Sequence, residues 1–175
     1  MKKIVLLCGI LSVLSLGANA QRTSDPADYK TGLGVRLNPW LIGFTAKHFI
    51  KGPHAIEGIV HHYFAGGGND RVNNVTFTGL YEYTFNVFGK SEWNMYGGGG
   101  AHLQLWENRY YDGDRWRGDG SKAYVGLDGI FGIEYTFKKI PLNLSADLKP
   151  YFHFNGGNDF IGEQIGGVSA RYTFK

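Results

Sequence analysis

The sequence predicts an all-β chain that closes as an eight-stranded antiparallel up-and-down transmembrane β-barrel. Three observations carry this expectation. Residues 142 to 155 alternate without a break, setting Asn143, Ser145, Asp147, Lys149 and His153 against an apolar face; a helix has no such period. The same period recurs in about eight segments, the number needed for a small closed membrane barrel. No segment after the N-terminal region supplies the roughly 20 apolar residues of a membrane helix, so a bilayer would have to be crossed by strands.

The N-terminus reads Met1-Lys2-Lys3, an apolar run from Ile4 to Leu16, then Ala18-Asn19-Ala20 before Gln21. Charged, apolar and small-residue regions in that order predict a signal peptide over residues 1–20, cleaved after Ala20. Residues 21–28 form a polar lead-in, and residues 29–175 the barrel. The single cysteine, Cys8, lies in the leader. The mature chain is therefore left without a thiol for redox catalysis, for cysteine-ligated zinc or for a disulfide. Two of the 18 basic residues, Lys2 and Lys3, also lie in the leader, which leaves the rest close to neutral and implies no nucleic-acid partner. The 27 glycines and the many aromatics suit strands that face lipid on one side and a polar interior on the other.

Each segment can be justified in turn. The first, about 29–37, alternates Leu33, Val35 and Leu37 with Gly34 and Arg36, and ends at Asn38-Pro39. The second, about 40–50, sets Ile42, Phe44, Ala46 and Ile50 against Gly43, Thr45 and Lys47, before the tight reversal Lys51-Gly52-Pro53. The third, about 55–64, has Ile56, Val60 and Phe64 opposite Glu57 and His61; a glycine- and asparagine-rich loop, 65–73, follows. The fourth places Val75, Phe77, Tyr81, Tyr83 and Phe85 opposite Thr76, Thr78 and Glu82. After a turn at 86–92, the fifth, 93–106, alternates Met95, Ala101, Leu103 and Leu105 with Asn94, Tyr96, His102 and Gln104 around Gly97 to Gly100. Glycines there permit the curvature of a narrow barrel.

A polar and aromatic connection, 107–122, is the longest. The sixth segment, about 123–137, sets Val125, Leu127, Phe131, Ile133 and Tyr135 against Tyr124, Asp128, Glu134 and Thr136. Residues 138–141 turn into the seventh, quoted above, and the loop 155–160 leads to the last, about 162–174, with Val168, Ala170, Tyr172 and Phe174 opposite Ser169, Arg171 and Thr173. Leu80, Ile130 and Ile165 fall on the polar face, which predicts bulges or register shifts. Connections after the third, fifth and seventh segments are longer than those after the second, fourth and sixth, as loops on one side of a membrane and turns on the other would be.

Period two alone also suits a soluble lipocalin-like binder with an apolar cavity. The charges separate the two architectures. The polar face collects Arg36, Lys47, Lys149 and Arg171 with Glu57, Glu82, Asp128, Glu134 and Asp147, diluted by small residues. Near-balanced charge among small side chains predicts a lumen filled by ion pairs, since eight strands leave room for little else. Aromatics near segment ends, Trp40, Phe64, Phe85, Trp93, Tyr135, Phe137, Tyr151, Tyr172 and Phe174, predict the two interfacial girdles of a membrane barrel.

On this pattern, and on the ending Arg171-Tyr172-Thr173-Phe174, residues 29–174 resemble the small outer-membrane barrels of the OmpX/OmpA transmembrane-domain type. The resemblance implies a location in the cell outer membrane of a Gram-negative envelope, with outer-membrane lipid and lipopolysaccharide as surroundings. It also implies that Tyr172 and Phe174 form the signal read by the outer-membrane insertion machinery, and that the barrel is monomeric.

The chemistry of the loops is less specific. Arg117-Gly118-Asp119 is a tripeptide of integrin ligands, and Arg109, Arg115, Trp116 and Arg117 have the charge and aromatic mix to meet anionic lipopolysaccharide headgroups. Asp112, Asp114 and Asp119 lack the spacing of a calcium loop. His61 and His62 point to opposite faces and share no metal. Ser169 and Ser145 have Gly167 and Asn143 where a lipid A deacylase carries histidine, and no spacing selects a set such as His153, Asp159 and Ser121. The expectation is therefore a barrel without a catalytic site, cofactor or metal, in a structural or surface-interaction role. A narrow or gated channel and a lipid A-modifying enzyme are the alternatives.

Overall fold

The computed structural model describes residues 28–39, 41–63, 70–111, 116–154 and 165–175, with the backbone alone at 63, 70–74, 108–111 and 116–120. The predicted leader and Trp40, Phe64, Asp112, Asp114, Arg115 and Asp159 lie outside the described residues. The strands are β1 (Thr31–Asn38), β2 (Leu41–Lys51), β3 (His54–Tyr63), β4 (Asp70–Asn86), β5 (Trp93–Tyr111), β6 (Trp116–Thr136), β7 (Leu142–Leu148), β8 (Tyr151–His153) and β9 (Gly166–Phe174). All pairings are antiparallel, and β1 pairs with both β2 and β9, so the sheet closes on itself. Segments β7 and β8 together form one stave, which gives a closed eight-stranded barrel with no helix among the described residues.

The seventh strand is interrupted where the sequence pattern ran unbroken. Leu148 pairs with Phe131 and Tyr151 with Asp128, so the register against β6 holds across the gap. Pro150 supplies no N–H for the ladder, yet its carbonyl still accepts from Gly129 N at 2.9 Å.

Strands β4, β5 and β6 are longer than the pattern suggests, because residues 70–73, expected in the loop 65–73, already pair with β5, and polar residues 107–111 and 116–122 continue the β5–β6 ladder. The connection expected as a loop over 107–122 is thus mostly hairpin. β6 has 21 residues and β9 has 9. At about 3.3 Å per residue and a tilt of roughly 40°, these rise roughly 50 Å and 23 Å along the barrel axis. The short wall matches the ~25 Å apolar band of a membrane barrel; the tall wall overshoots it at the end away from the chain termini. That far end is the loop end, and the end where Thr31 pairs with Phe174 is the turn end.

Inside and outside follow the alternation. Leu33, Val35, Phe44, Ile56, Phe77, Leu103, Leu127, Phe131, Leu144 and Val168 project outward around the circumference, while every buried charged side chain projects inward. At the turn end, aromatic rings pack side by side: Trp93 on Tyr135 at 4.9 Å, Tyr135 on Phe137 at 4.8 Å and Tyr172 on Phe174 at 5.0 Å between centroids. Tyr151 departs from the girdle expected of it. It sits on the inner face with its ring 5.1 Å from that of His153 and 5.8 Å from that of His102.

Leu80 and Ile130 cause no bulge. Their register is regular, and with Ile59 and Tyr96 they form a buried apolar cluster inside the barrel. The lumen therefore has its own small hydrophobic core, a solution that alternation could not distinguish from a register slip. Register shifts occur elsewhere, between Phe49 and Lys51 and between Asn108 and Tyr110. Ile165 precedes β9, and its carbonyl accepts from Lys149 N at 2.5 Å.

Candidate functional site: the charged lumen

Strand alternation delivers nine ionisable side chains to the lumen, and all nine are buried. Arg36, Lys47, Lys149 and Arg171 are each 0% exposed; Glu57, Glu82, Asp128, Glu134 and Asp147 are at most 7% exposed. Charges removed from water to this extent are tolerated only with partners, and the structure supplies them in four groups.

Arg36 of β1 meets Asp147 of β7 with both terminal nitrogens, one contact being 2.6 Å to Oδ2. β9 lies between those two strands. The guanidinium crosses it at Gly167, where an added Cβ would stand 2.5 Å from Nη2. Ser169 Oγ accepts a further bond from Arg36 at 3.3 Å, and the Tyr96 hydroxyl donates to Asp147 at 2.9 Å. The planar fork of Arg suits this two-point grip.

Arg171 of β9 spans the lumen to Glu57 of β3, and Thr45 donates to the same carboxylate. Its other nitrogens donate to Ser145 Oγ at 2.8 Å, Asn143 Oδ1 at 3.3 Å and Thr45 Oγ1 at 3.2 Å. Lys47 of β2 lies between Glu82 of β4 at 2.9 Å and Glu134 of β6 at 3.1 Å, and its ammonium sits 4.1 Å from the centroid of the Tyr96 ring. This is a cation–π contact added to two ion pairs.

The fourth group faces the loop end. Lys149 Nζ lies 2.5 Å from Asp128 Oδ1, and His102 Nδ1 lies 2.7 Å from Asp128 Oδ2, the geometry of a histidine N–H donating to a carboxylate. His153 meets His102 edge-on, with ring centroids 4.9 Å apart. His61 is fully buried against Gly43, and neither ring nitrogen has a hydrogen-bond partner among the described residues. His62 faces outward.

Chemically, this arrangement holds strands together. Three of the groups tie walls that are not adjacent in the sheet. The largest fully buried side chains, Arg36, Arg171, Tyr96, Lys47 and Lys149, occupy the barrel cross-section. Sequence projection found the charged members but not Tyr96, whose position on the polar face was legible and whose double role, hydroxyl to Asp147 and ring to Lys47, was not. Ser145 and Ser169, considered for nucleophilic chemistry, are hydrogen-bonded to Arg171 and Arg36. Among the described residues no group of three or more His, Cys, Asp or Glu is placed to hold a metal ion.

The backbone places the described surface-loop candidates on one hairpin. Arg109 lies on β5, and Trp116, Arg117 and Asp119 lie on β6, where Tyr110 pairs with Arg117 and Tyr111 with Trp116; their side chains are outside the description. Ser121 is exposed on the same hairpin, away from the buried network.

Among solved structures, the chain is similar to the crystal structure of the N-terminal β-barrel domain of Pseudomonas aeruginosa OprF. The TM-score is 0.58 with 15% sequence identity, and the match covers 82% of this chain and 95% of that one. At this identity the likeness is one of fold. No protein-family model and no curated protein matches the chain.

Proposed function

We propose that this chain is an outer-membrane β-barrel whose lumen is closed by side chains, and that its role is structural or surface-interacting. The observation that carries the reading is the inversion of the ordinary protein plan. The outer wall is a continuous apolar belt with an aromatic band at the turn end, while every one of the nine charged side chains named above is buried in the interior. A soluble barrel would gain nothing from exposing Phe44, Leu127 and Val168 to water, whereas lipid accepts them. The fold likeness to the OprF barrel domain supports the same location.

In this reading the tall β4–β6 wall lifts the hairpin out of the bilayer, where Arg109, Arg115, Trp116, Arg117 and Asp119 meet lipopolysaccharide or another surface ligand. The shape of the wall favours a surface role over catalysis, since it concentrates exposed chain at one end. The test is fractionation of cells producing the native chain. Recovery with outer membranes after a carbonate wash, and a heat-dependent shift in electrophoretic mobility, are the expected results; recovery in the soluble periplasmic fraction would overturn the membrane reading in favour of the lipocalin-like one.

A further inference from the structure

The turn end of the barrel carries a charge pattern that the lumen does not explain. Its charged side chains among the described residues are Lys30, Lys51, Lys90, Lys138, Lys139 and Lys175 against Asp28 and Glu92, and all six lysines are exposed. Glu92 is already paired with Lys138 at 2.6 Å. The opposite end has no such excess in sequence: over 107–122, Arg109, Arg115, Arg117 and Lys122 are matched by Glu107, Asp112, Asp114 and Asp119.

Two local features show how the cationic rim is shaped. Lys30, Lys51 and Lys175 surround a depression of about 350 Å³ whose floor includes Phe49 and Ile50, with Asp28 as its acidic member. On the β4–β5 turn, Phe88 has φ of 58° and Gly89 φ of 63°. The left-handed region costs glycine little, but a bulky side chain pays for it in strain. That conformation leaves Phe88 76% exposed beside Lys90, its ring edge-on to Trp93 at 6.3 Å. An exposed aromatic next to a lysine at the edge of the apolar belt is the pairing found where side chains anchor at a lipid interface.

We infer that the turn end is a docking rim for anionic phospholipid headgroups, with Lys30, Lys51 and Lys175 cradling one headgroup and the Phe88–Lys90 turn inserting beside another. The inference rests on the membrane reading above. It assigns the occupant as lipid because the lysines continue directly from the apolar belt through Trp93, Tyr172 and Phe174, so the anions nearest them are headgroups. Lysine is suited to this: its stem lies along apolar surface while its ammonium reaches the phosphate.

The experiment folds the full-length mature chain into phosphatidylcholine vesicles containing a trace of spin-labelled phosphatidylglycerol or spin-labelled phosphatidylcholine, and reads the motionally restricted fraction of each. Phosphatidylglycerol is expected to associate about fivefold more strongly per lysine contact, with the preference lost in high salt, lost in Lys30→Gln/Lys51→Gln/Lys90→Gln and retained in Lys122→Gln at the loop end. Equal association of the two lipids with a folded, heat-modifiable barrel would overturn the docking rim and leave the membrane reading intact. Salt-sensitive binding of soluble heparin without lipid preference would likewise overturn it, making the rim a site for soluble polyanions. Failure to insert at all would overturn the membrane reading, and this inference with it.

Discussion

Arg36 and Asp147, 111 residues apart, join β1 to β7 across the intervening β9 through a two-nitrogen grip. Both side chains are fully shielded from solvent. Removing one partner leaves a buried charge alone, which costs about 3–5 kcal/mol, whereas replacing both by apolar groups of similar volume is close to neutral. Asp147→Asn is therefore expected to lower the urea midpoint of the folded barrel strongly, and Arg36→Met/Asp147→Leu to recover most of the loss. A double-mutant cycle by equilibrium unfolding in vesicles measures this; additive losses would show that the pair is not coupled.

Gly167 is the position on β9 that leaves room for that guanidinium. Gly167→Val should displace Arg36 and destabilise the barrel by an amount approaching that of Asp147→Asn. In an Arg36→Met background the same substitution should cost much less, which unfolding midpoints of the four variants would reveal.

Leu80 sits with Ile59, Tyr96 and Ile130 in the apolar cluster of the lumen. Leu80→Ala is expected to cost roughly 2–5 kcal/mol, the range for truncating a buried leucine, and Leu80→Met to cost less than about 1.5 kcal/mol. Similar small effects of both on the unfolding midpoint would mean that the cluster does not pack as a core.

At the turn end, the Lys138 ammonium holds the Glu92 carboxyl below its ordinary value of 4.5, and Glu92 in turn raises Lys138. Glu92 thus adds stability that is present above the unfolded carboxyl pKa and fades as pH falls through the lower folded value. The pair is on the surface, where screening keeps such contributions small. Comparing wild type with Glu92→Gln should show a modest difference in unfolding midpoint at neutral pH that shrinks as the carboxyl becomes protonated on acidification; a difference that grows on acidification would contradict the pairing.

Tyr172 and Phe174 project outward at the end of β9, 55% and 45% exposed. An insertion signal at these two positions would matter to assembly more than to the finished barrel. Phe174→Ala is expected to slow insertion by the outer-membrane machinery in reconstituted membranes while leaving the folded spectrum in detergent unchanged. Equal insertion rates would remove the signal role.

The barrel was legible because the strands obey a two-residue period and most of the buried charges have a polar neighbour two positions away, as in Arg36 beside Asn38 or Glu82 beside Thr84. What the period could not convey was pairing across the lumen. Arg171 reaches Glu57 because closure places β9 opposite β3, and no local spacing encodes that. Tyr151 was misplaced for a related reason: an aromatic near a strand end suits an interfacial girdle equally well, and only the phase set by Lys149 and His153 puts it inside. The hairpin strands over 107–111 and 116–122 were hidden by their polarity, since without an apolar face no two-residue hydrophobic period marks them.

Packed charges and the apolar cluster leave no open path through the proposed barrel, which single-channel recording would reveal. With heat-modifiable, fully inserted protein in a planar bilayer, a silent membrane is expected at moderate voltage. Reproducible conductance steps from the inserted barrel would contradict the closed lumen and make a narrow channel the function to pursue.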